Sequence, residues 1–421
     1  MTRFQSPKGT QDILPPESAR WVELIGRFAD LARRSGFGLV MSPGFEDTEV
    51  FRRSSGDSSD VVTKEMYEFT DRGGRDIALR PEGTASVVRA FVQHSPTPPF
   101  KAWYVAPMFR YESPQAGRFR QHHQLGVEIL GTDDPMADVE VIALLAGFYA
   151  DLGLVSLRLR VNSLGDAKCA PGYREQLSAH LEAHAEEMCD EHRYRWEVNP
   201  LRIFDCKRPE CRKVSAAARK LREFLCEDCR RHFADVLAGL DRLSVSYEQD
   251  DYLVRGLDYY TRTTFEYSSD LIEGVGGGGR YVGLIAALGG PELSGVGFGG
   301  GIERILLACD ADGAVSLDGL RLSPRLDVFV VDSSTPGIAL ELCAELRAAG
   351  LGVDRAFDGR SMKAQLKAAD RSGAKVACIV GEEDVASGLV TVRVMRGRDA
   401  HAQEKVAREA VVARVHEITR F

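Results

Sequence analysis

Apolar positions recur with the helical period from Glu17 to Ser35, where Trp21, Leu24, Ile25, Phe28, Leu31 and Ala32 share one broad face and Gly36 stops the run. Phe37 to Met41 then reads as a short strand closed by Pro43. Two strand-length runs, Met66 to Thr70 and Asp76 to Arg80, flank Asp71-Arg72-Gly73-Gly74-Arg75, a hairpin signal. After Arg80-Pro81-Glu82-Gly83-Thr84 an apolar-periodic helix is predicted to about His94, with Thr84 as its N-cap. Phe109 to Gly131 reads as two strands joined by a loop marked by Pro114 and Gly117. On the second of them Leu125, Val127 and Ile129 occupy one parity, and Arg118, Arg120, His122, Gln124, Gly126 and Glu128 the other. Side chains alternate across a strand, so one face is apolar and the other carries cations, amide and carboxylate. Arg110 and Glu112 share a parity on the preceding strand. A half-exposed strand with a wet polar face explains alternation alone. The mixture of groups around Gly126 points further, to a floor for a small anionic ligand.

Farther on, Asp133 to Leu152 reads as a helix with Leu144, Leu145 and Phe148 in its core, and Val155 to Asn162 as a strand of alternating Leu and Arg. From about 165 to 245 the chain turns charged, helical and cysteine-rich. Gly276 to Leu284 reads as a glycine loop that lets backbone approach a ligand closely, and Gly295 to Gly301 as a glycine-rich strand entering a helix with Arg304 on its first turns. Residues 310–325 form a linker. Beyond it Leu326–Val331, Val353–Ala356, Val376–Val380 and Leu389–Met395 read as strands, and Pro336–Ala349 and Met362–Ser372 as helices, a βαβαβ pattern.

With 421 residues, 44% hydrophobic and 28% charged, the chain can fill two or three domains. No apolar run approaches the roughly 20 residues that span a bilayer, and the N-terminus lacks the apolar core of a signal peptide, so a cytoplasmic location is expected. The net charge of −8 argues against wholesale coating of nucleic acid and leaves only local basic surface for such a partner. Nine cysteines point to reduced thiols or metal ligands rather than disulfides. Among them, Cys206 and Cys211, with Cys226 and Cys229 farther on, have the spacing of two thiolate pairs closing one four-cysteine zinc site. Four unrelated thiols are the alternative. Cys169, Cys189, Cys309, Cys343 and Cys378 have no such partners and are expected in the core.

Several stretches carry a family resemblance. Phe109-Arg110-x-Glu112 with Arg118-Phe119-Arg120-Gln121 resembles motif 2 of class II aminoacyl-tRNA synthetases, and Gln124-x-Gly126-x-Glu128 resembles the histidyl-tRNA synthetases in particular. Arg255-Gly256-Leu257-Asp258-Tyr259-Tyr260 is similar to a signature of the same family. The glycine-rich strand leading to Arg304 resembles motif 3, and the helix and strand up to Pro43 resemble motif 1, a dimer interface in this class. Gly279-Arg280-Tyr281-Val282-Gly283-Leu284 is similar to a family run in which Asp is usual at the place of Val282.

The resemblance implies an α+β fold: a class II antiparallel-sheet catalytic core at 1–324, carrying a helical insertion at about 165–245, and a C-terminal α/β anticodon-binding domain at 325–421. It implies ATP-dependent attachment of L-histidine to its tRNA through a histidyl-adenylate, with Mg²⁺ accompanying ATP and a homodimer as the assembly. Arg110 and Arg255 would act on the reacting phosphate, and Glu112, Arg118 and Arg304 would hold the rest of ATP. Glu82, Gly83 and Thr84 would take the amino group. Gln124, Glu128, Tyr259, Tyr260 and Tyr281 would surround the imidazole, and Gln115 would reach the tRNA acceptor end. Two rivals stand beside this reading. A non-catalytic, histidine-sensing paralogue would lack Arg255 and the C-terminal domain. A nucleotide-dependent oxidoreductase would rest on Gly295-x-Gly297-x-x-Gly300 alone, a weak signal without a surrounding βαβ unit.

Overall fold

The structure is a computed structural model that describes residues 4–55, 59, 61–113, 117–193, 196–197, 199–314, 326–333, 337–357, 359–397 and 399–419. The chain divides into two compact units, Met1–Ile13 with Trp21–Leu317, and Leu14–Arg20 with Asp318–Phe421.

The elements that lie wholly or mainly in the first unit begin, in chain order, with α1 (Glu17–Arg34), β1 (Gly38–Leu39), β2 (Phe45–Asp47), α2 (Thr48–Ser55), β3 (Tyr67–Thr70), β4 (Asp76–Leu79) and α3 (Thr84–His94). There follow β5 (Phe100–Phe109), β6 (Gln121–Leu130), α4 (Pro135–Asp151) and β7 (Arg158–Ser163). The insertion holds α5 (Ala170–Ala183), α6 (Asp190–Arg193), α7 (Pro209–Ala217) and α8 (Glu227–Arg242). The unit closes with β8 (Glu248–Gln249), β9 (Tyr260–Ser268), β10 (Gly276–Val282), α9 (Leu284–Ala287), β11 (Ser294–Gly301) and α10 (Ile302–Ala311).

Eight of these strands form one sheet in the order β1-β5-β6-β11-β10-β9-β7-β8. It is antiparallel except at its rims, where β1 pairs with β5 and β7 with β8 in parallel. Both faces are covered. The odd residues of β6, Leu125, Val127 and Ile129, pack into a large core with Trp21, Leu24 and Phe28 of α1, Ile142 and Phe148 of α4, and Ile305 of α10. That face follows directly from the alternation in the sequence. On the opposite face Tyr104, Met108 and Tyr281 pack against Val87, Val88 and Phe91 of α3 and Leu284 and Ile285 of α9. Of the even residues of β6, Gly126 and Glu128 are therefore buried, Glu128 with no exposure at all, while His122 and Gln124 are partly exposed.

Gly276 to Val282, expected as a loop, is a central buried strand between β9 and β11. Its glycines serve close packing rather than flexibility, since a Cβ on Gly278 would collide with the carbonyl of Gly297. The next residue in that strand with a long side chain, Arg280, is wholly buried and bonds to Asp138 of α4.

The second unit holds β12 (Val328–Asp332), α11 (Ile338–Ala348), β13 (Val353–Arg355), α12 (Met362–Arg371), β14 (Val376–Val380), α13 (Glu382–Ala386), β15 (Leu389–Val394), β16 (Gln403–Ala407) and α14 (Val411–Thr419). Its sheet runs β13-β12-β14-β15-β16, parallel over the first three strands and antiparallel thereafter. Strand β16 and helix α14 went unpredicted: exposed Gln403, Glu404 and Lys405 hide an edge strand behind a charged sequence. Most of the expected linker, and the first residue of the helix expected at Pro336, lie outside the described residues.

Candidate active site

Strand register builds a pocket around one carboxylate. Glu128 on β6 sits between Ala102 on β5 and Gly297 on β11, the two residues directly across from it. The small neighbours leave the side chain room, and a Cβ on Gly297 would fall on the Glu128 carboxylate. One row along, Gly126 lies between Tyr104 and Gly299, and a Cβ on Gly299 would fall on the Gln124 amide. Gly83 and Gly126 likewise make way for the Tyr104 ring. Glycine is thus required here by side chains that lie flat across the sheet.

Glu128 accepts hydrogen bonds from Thr84 Oγ1 at 2.7 Å and from Tyr281 Oη at 2.6 Å. Tyr281 stacks edge-on against Tyr259, which in turn lies against Tyr260. Around them Tyr104 Oη, Tyr259 Oη and Gln124 Oε1 are buried without a hydrogen-bond partner among the described residues. Buried polar atoms are seldom left unpaired, so this cluster is equipped for a polar ligand. Tyr104 was missed by sequence reasoning, because an aromatic in an apolar strand reads as core.

Burial pushes the Glu128 carboxyl up to about 8, opposed by the hydrogen bonds from Tyr281 and Thr84, with Glu82 adding to the rise. A carboxyl that holds its proton more tightly folded than unfolded contributes stability that is complete below 4.5 and is lost as pH rises to about 8. The slope is at most roughly 1.4 kcal/mol per pH unit. Urea unfolding of wild type should therefore weaken across that window relative to Glu128→Gln. Parallel pH dependences for the two proteins would refute it.

Glu82 stands at the N-terminus of α3, where its two carboxylate oxygens accept from the backbone N–H groups of Thr84 (2.6 Å) and Ala85 (2.7 Å). The expectation that Thr84 is the N-cap is corrected: Gly83 holds that position, Thr84 is the first helical residue, and Glu82 does the capping. Thr84 is thereby freed to bond Glu128. Burial raises the Glu82 carboxyl, while Ala85, Thr84 and the nearby Arg110 guanidinium oppose the rise. Each oxygen keeps a second acceptor site for an arriving ammonium.

Beside this pocket Arg110, Glu112, Arg118, His122, Gln124, Arg255 and Arg304 line one cavity of ≈ 450 Å³. Arg110 and Arg118 lie beyond the strands expected to carry them, since β5 ends at Phe109 and β6 begins at Gln121. Glu112 links them, 3.9 Å from Arg110 Nη1 and 3.5 Å from Arg118 Nη1. Arg110 Nε donates to Pro81 O at 2.8 Å. Arg304, on the first turn of α10, donates to the carbonyls of Glu273 and Gly274. Burial lowers its pKa, and repulsion from Arg118 and Arg110 adds to that. Burial likewise holds His122 neutral, down to about 3, with Arg110 and Arg304 pushing the same way. Guanidinium groups packed this closely favour a polyanion between them.

Arg255 lies over Gly277 and pairs with Glu266 on β9, not with Asp258. Glu266 also accepts from Arg160 and Ser268 at 2.8 Å, so it stays partnered without Arg255. Asp258 instead accepts from Asn199 at 3.1 Å in the insertion. Val282 is exposed beside buried Tyr281. Gln115 lies outside the described residues.

The cysteine expectation is corrected more deeply. Cys206 and Cys211 gather with Cys189 and His192, whereas Cys226 and Cys229 gather with Asp166 and Cys169. The two pairs do not close one site, and Cys169 and Cys189 are not solitary core thiols. Spacing alone could not reveal this, because an Asp and a His complete the groups.

Comparison with known proteins identifies relatives of the whole chain. The family model for histidyl-tRNA synthetase matches residues 9–305, and an anticodon binding domain matches 327–418. Histidine–tRNA ligase of Moorella thermoacetica is 48% identical over 96% of each chain, and that of Rhodococcus erythropolis 45% over 99% of this chain and 98% of its own. The apo histidyl-tRNA synthetase of S. aureus superposes with a TM-score of 0.80 at 34% identity, covering 98% of this chain and all of that one. With a family model spanning most of its length and relatives alike from end to end, this chain belongs to the histidyl-tRNA synthetase family.

Proposed function

We propose that the cleft activates histidine as an adenylate and then passes it to tRNA. Family membership gives the activity: ATP-dependent charging of the histidine tRNA, a ligase reaction of protein biosynthesis. One observation carries the mechanistic reading. Arg110 and Arg255, far apart in sequence, line one cavity with Arg118 and Arg304.

In the first step a histidine carboxylate oxygen attacks the α-phosphorus of ATP, and the bond to pyrophosphate breaks. The carboxylate is already ionised at neutral pH, so no general base is required. The barrier lies in charge gathering on the phosphoryl oxygens, which fixed guanidinium groups stabilise. Arg110 and Arg255 take that role. Arg118 and Arg304 hold the remaining phosphates and the nucleotide, with Glu112 orienting the arginines and contacting ATP. In the second step a tRNA hydroxyl displaces AMP.

Histidine is held at both ends. Glu82, Gly83 and Thr84 receive the ammonium, Glu82 through the acceptor sites its capping bonds leave open. Glu128, Gln124, Tyr259, Tyr260 and Tyr281 surround the imidazole, with Glu128 accepting from a ring N–H. Glu128 is already paired with Thr84 and Tyr281, so the loss falls on Gln124 Oε1 and the Tyr104 and Tyr259 hydroxyls: a ligand that leaves such buried groups unpaired is disfavoured by roughly 10⁴-fold.

The cleft carboxylates Glu112 and Glu266 already lie between guanidinium groups, which suits a Mg²⁺ that arrives with the nucleotide rather than one caged by protein. Bound there, Mg²⁺ would neutralise charge on the outer phosphates. Metal held by the insertion thiols is structural: none of them lines the cavity that holds Arg110, and Cys206 alone reaches the adjoining space beside Arg118, Arg255 and Arg304. We place the reaction in the cytoplasm, in a homodimer, with Gln115 at the tRNA acceptor end and the boundary to the anticodon-binding domain at 324/325. Among the described residues no helix is long and apolar enough to cross a membrane.

Aminoacylation of bulk tRNA with labelled histidine tests the reading directly. Glu128→Gln should raise the histidine KM by roughly 10²-fold or more while moving the ATP KM little. An equal rise in both constants would remove Glu128 from amino-acid recognition.

A further inference from the structure

We propose that the insertion carries two separate zinc ions, one on Cys189, His192, Cys206 and Cys211, the other on Asp166, Cys169, Cys226 and Cys229. In each group the four ligand atoms lie within 4.8 Å of one another. Cys169 Sγ and Cys229 Sγ are 3.8 Å apart, matching the edge of about 3.8 Å of a tetrahedron with ligands about 2.3 Å from its centre. That separation is nearly twice the ~2.05 Å of a disulfide. In the other group Cys189 Sγ is 3.2 Å from His192 Nδ1.

Each site is assembled from two short-range pairs. Asp166-x-x-Cys169 meets Cys226-x-x-Cys229, and Cys189-x-x-His192 meets Cys206-x4-Cys211. Such knuckle spacing lets a single turn present two ligands to one ion. The surrounding bonds are already set. The backbone N–H of Asp166 points at Cys169 Sγ and that of Cys189 at Cys211 Sγ, both at 3.4 Å. Arg262 approaches Asp166 Oδ2 at 3.5 Å, leaving Oδ1 to face Cys169 (3.6 Å) and Cys226 (3.9 Å). A carboxylate with one oxygen on a cation and the other on the thiols is oriented as ligands of a metal site are. Three soft thiolates in each set select zinc over the hard cations the nucleotide brings.

The two sites are nested. The segments of the Asp166 site enclose those of the Cys189 site along the chain, so the outer ion ties the start of the insertion, where it leaves β7, to the first turn of α8. There Leu164 donates to Arg262 O and Arg262 to Gly165 O. The inner ion ties α6 to the start of α7. The insertion needs such ties because its apolar cluster is small, and Cys169, Cys189, Cys211 and Cys229 themselves make up part of its buried members.

Elemental analysis and native mass spectrometry of the full chain, purified in reductant without chelator, test the proposal. Two zinc ions per chain are expected. Cys211→Ser and Cys169→Ser should each retain one, and the double variant none. A single zinc insensitive to Cys169→Ser, or no zinc, overturns the assignment. If the variants fail to fold, the wild-type count decides, together with Co²⁺ titration of chelator-stripped protein. Two equivalents with thiolate charge-transfer absorption support the proposal, and saturation at one refutes it.

Discussion

Replacing Arg255 by alanine is expected to lower histidine-dependent ATP–pyrophosphate exchange by roughly 10³-fold, about 4 kcal/mol of transition-state stabilisation, without unfolding the chain. The two halves of that expectation have different sources. The catalytic loss follows from the cleft Arg255 shares with Arg110, where an oriented donor beside accumulating negative charge is worth most. The preserved fold follows from Glu266, which keeps Arg160 and Ser268 as partners when Arg255 is gone. Arg255→Lys should recover little, because an ammonium cannot bridge Glu266 and a phosphoryl oxygen with the same planar fork. Exchange within about threefold of wild type in Arg255→Ala, with circular dichroism unchanged, would remove this arginine from the chemistry.

The second large effect is on stability. Asp138→Ala should destabilise the first unit by about 3–5 kcal/mol, read as a shift of its urea transition to lower concentration. Arg280 has no solvent exposure, and its N–H groups go to Asp138 (3.0 and 3.2 Å), Thr132 O (2.7 Å), Ser294 Oγ (2.9 Å) and Asp134 O (2.9 Å). Burial disfavours ionised Asp138, yet His232 and Arg280 hold its carboxyl below the usual range. Without that carboxylate a buried guanidinium loses its counter-charge. Because Arg280 precedes Tyr281, loosened packing should also reach Glu128 and raise the histidine KM. The double change Asp138→Ala, Arg280→Met should be less destabilised than the single one. A single variant as stable as wild type would show the pair to be dispensable.

Alternation made the core face of β6 legible in the sequence, because period-two apolar residues have one structural meaning when a helix layer covers them. The same alternation misled just upstream. Arg110, Glu112, Arg118 and Arg120 mimic a strand's polar face, but they lie outside the strands; the first three gather charge at the cavity and Arg120 stacks on Tyr111. Glycine runs were the harder case. Gly276 to Gly279 reads as a loop by composition, and only the cross-strand register explains why a central strand needs it. Thr84 was seen and given the wrong task, since nothing local distinguishes a capping hydroxyl from one that reaches 44 residues away to Glu128. Tyr104, Glu266, Asp166 and His192 were invisible for a common reason: their significance lies in neighbours distant along the chain.

The glycine directly across from Glu128 has a practical corollary for altering which amino acid is charged. A new recognition group at position 128 inherits a vacant lane over Gly297 only as long as that lane stays vacant. A larger residue at 297 forecloses nearly every choice at 128, whatever its polarity. Libraries aimed at recoding this enzyme should vary 102, 128 and 297 jointly, since single-site searches will sample mostly collisions.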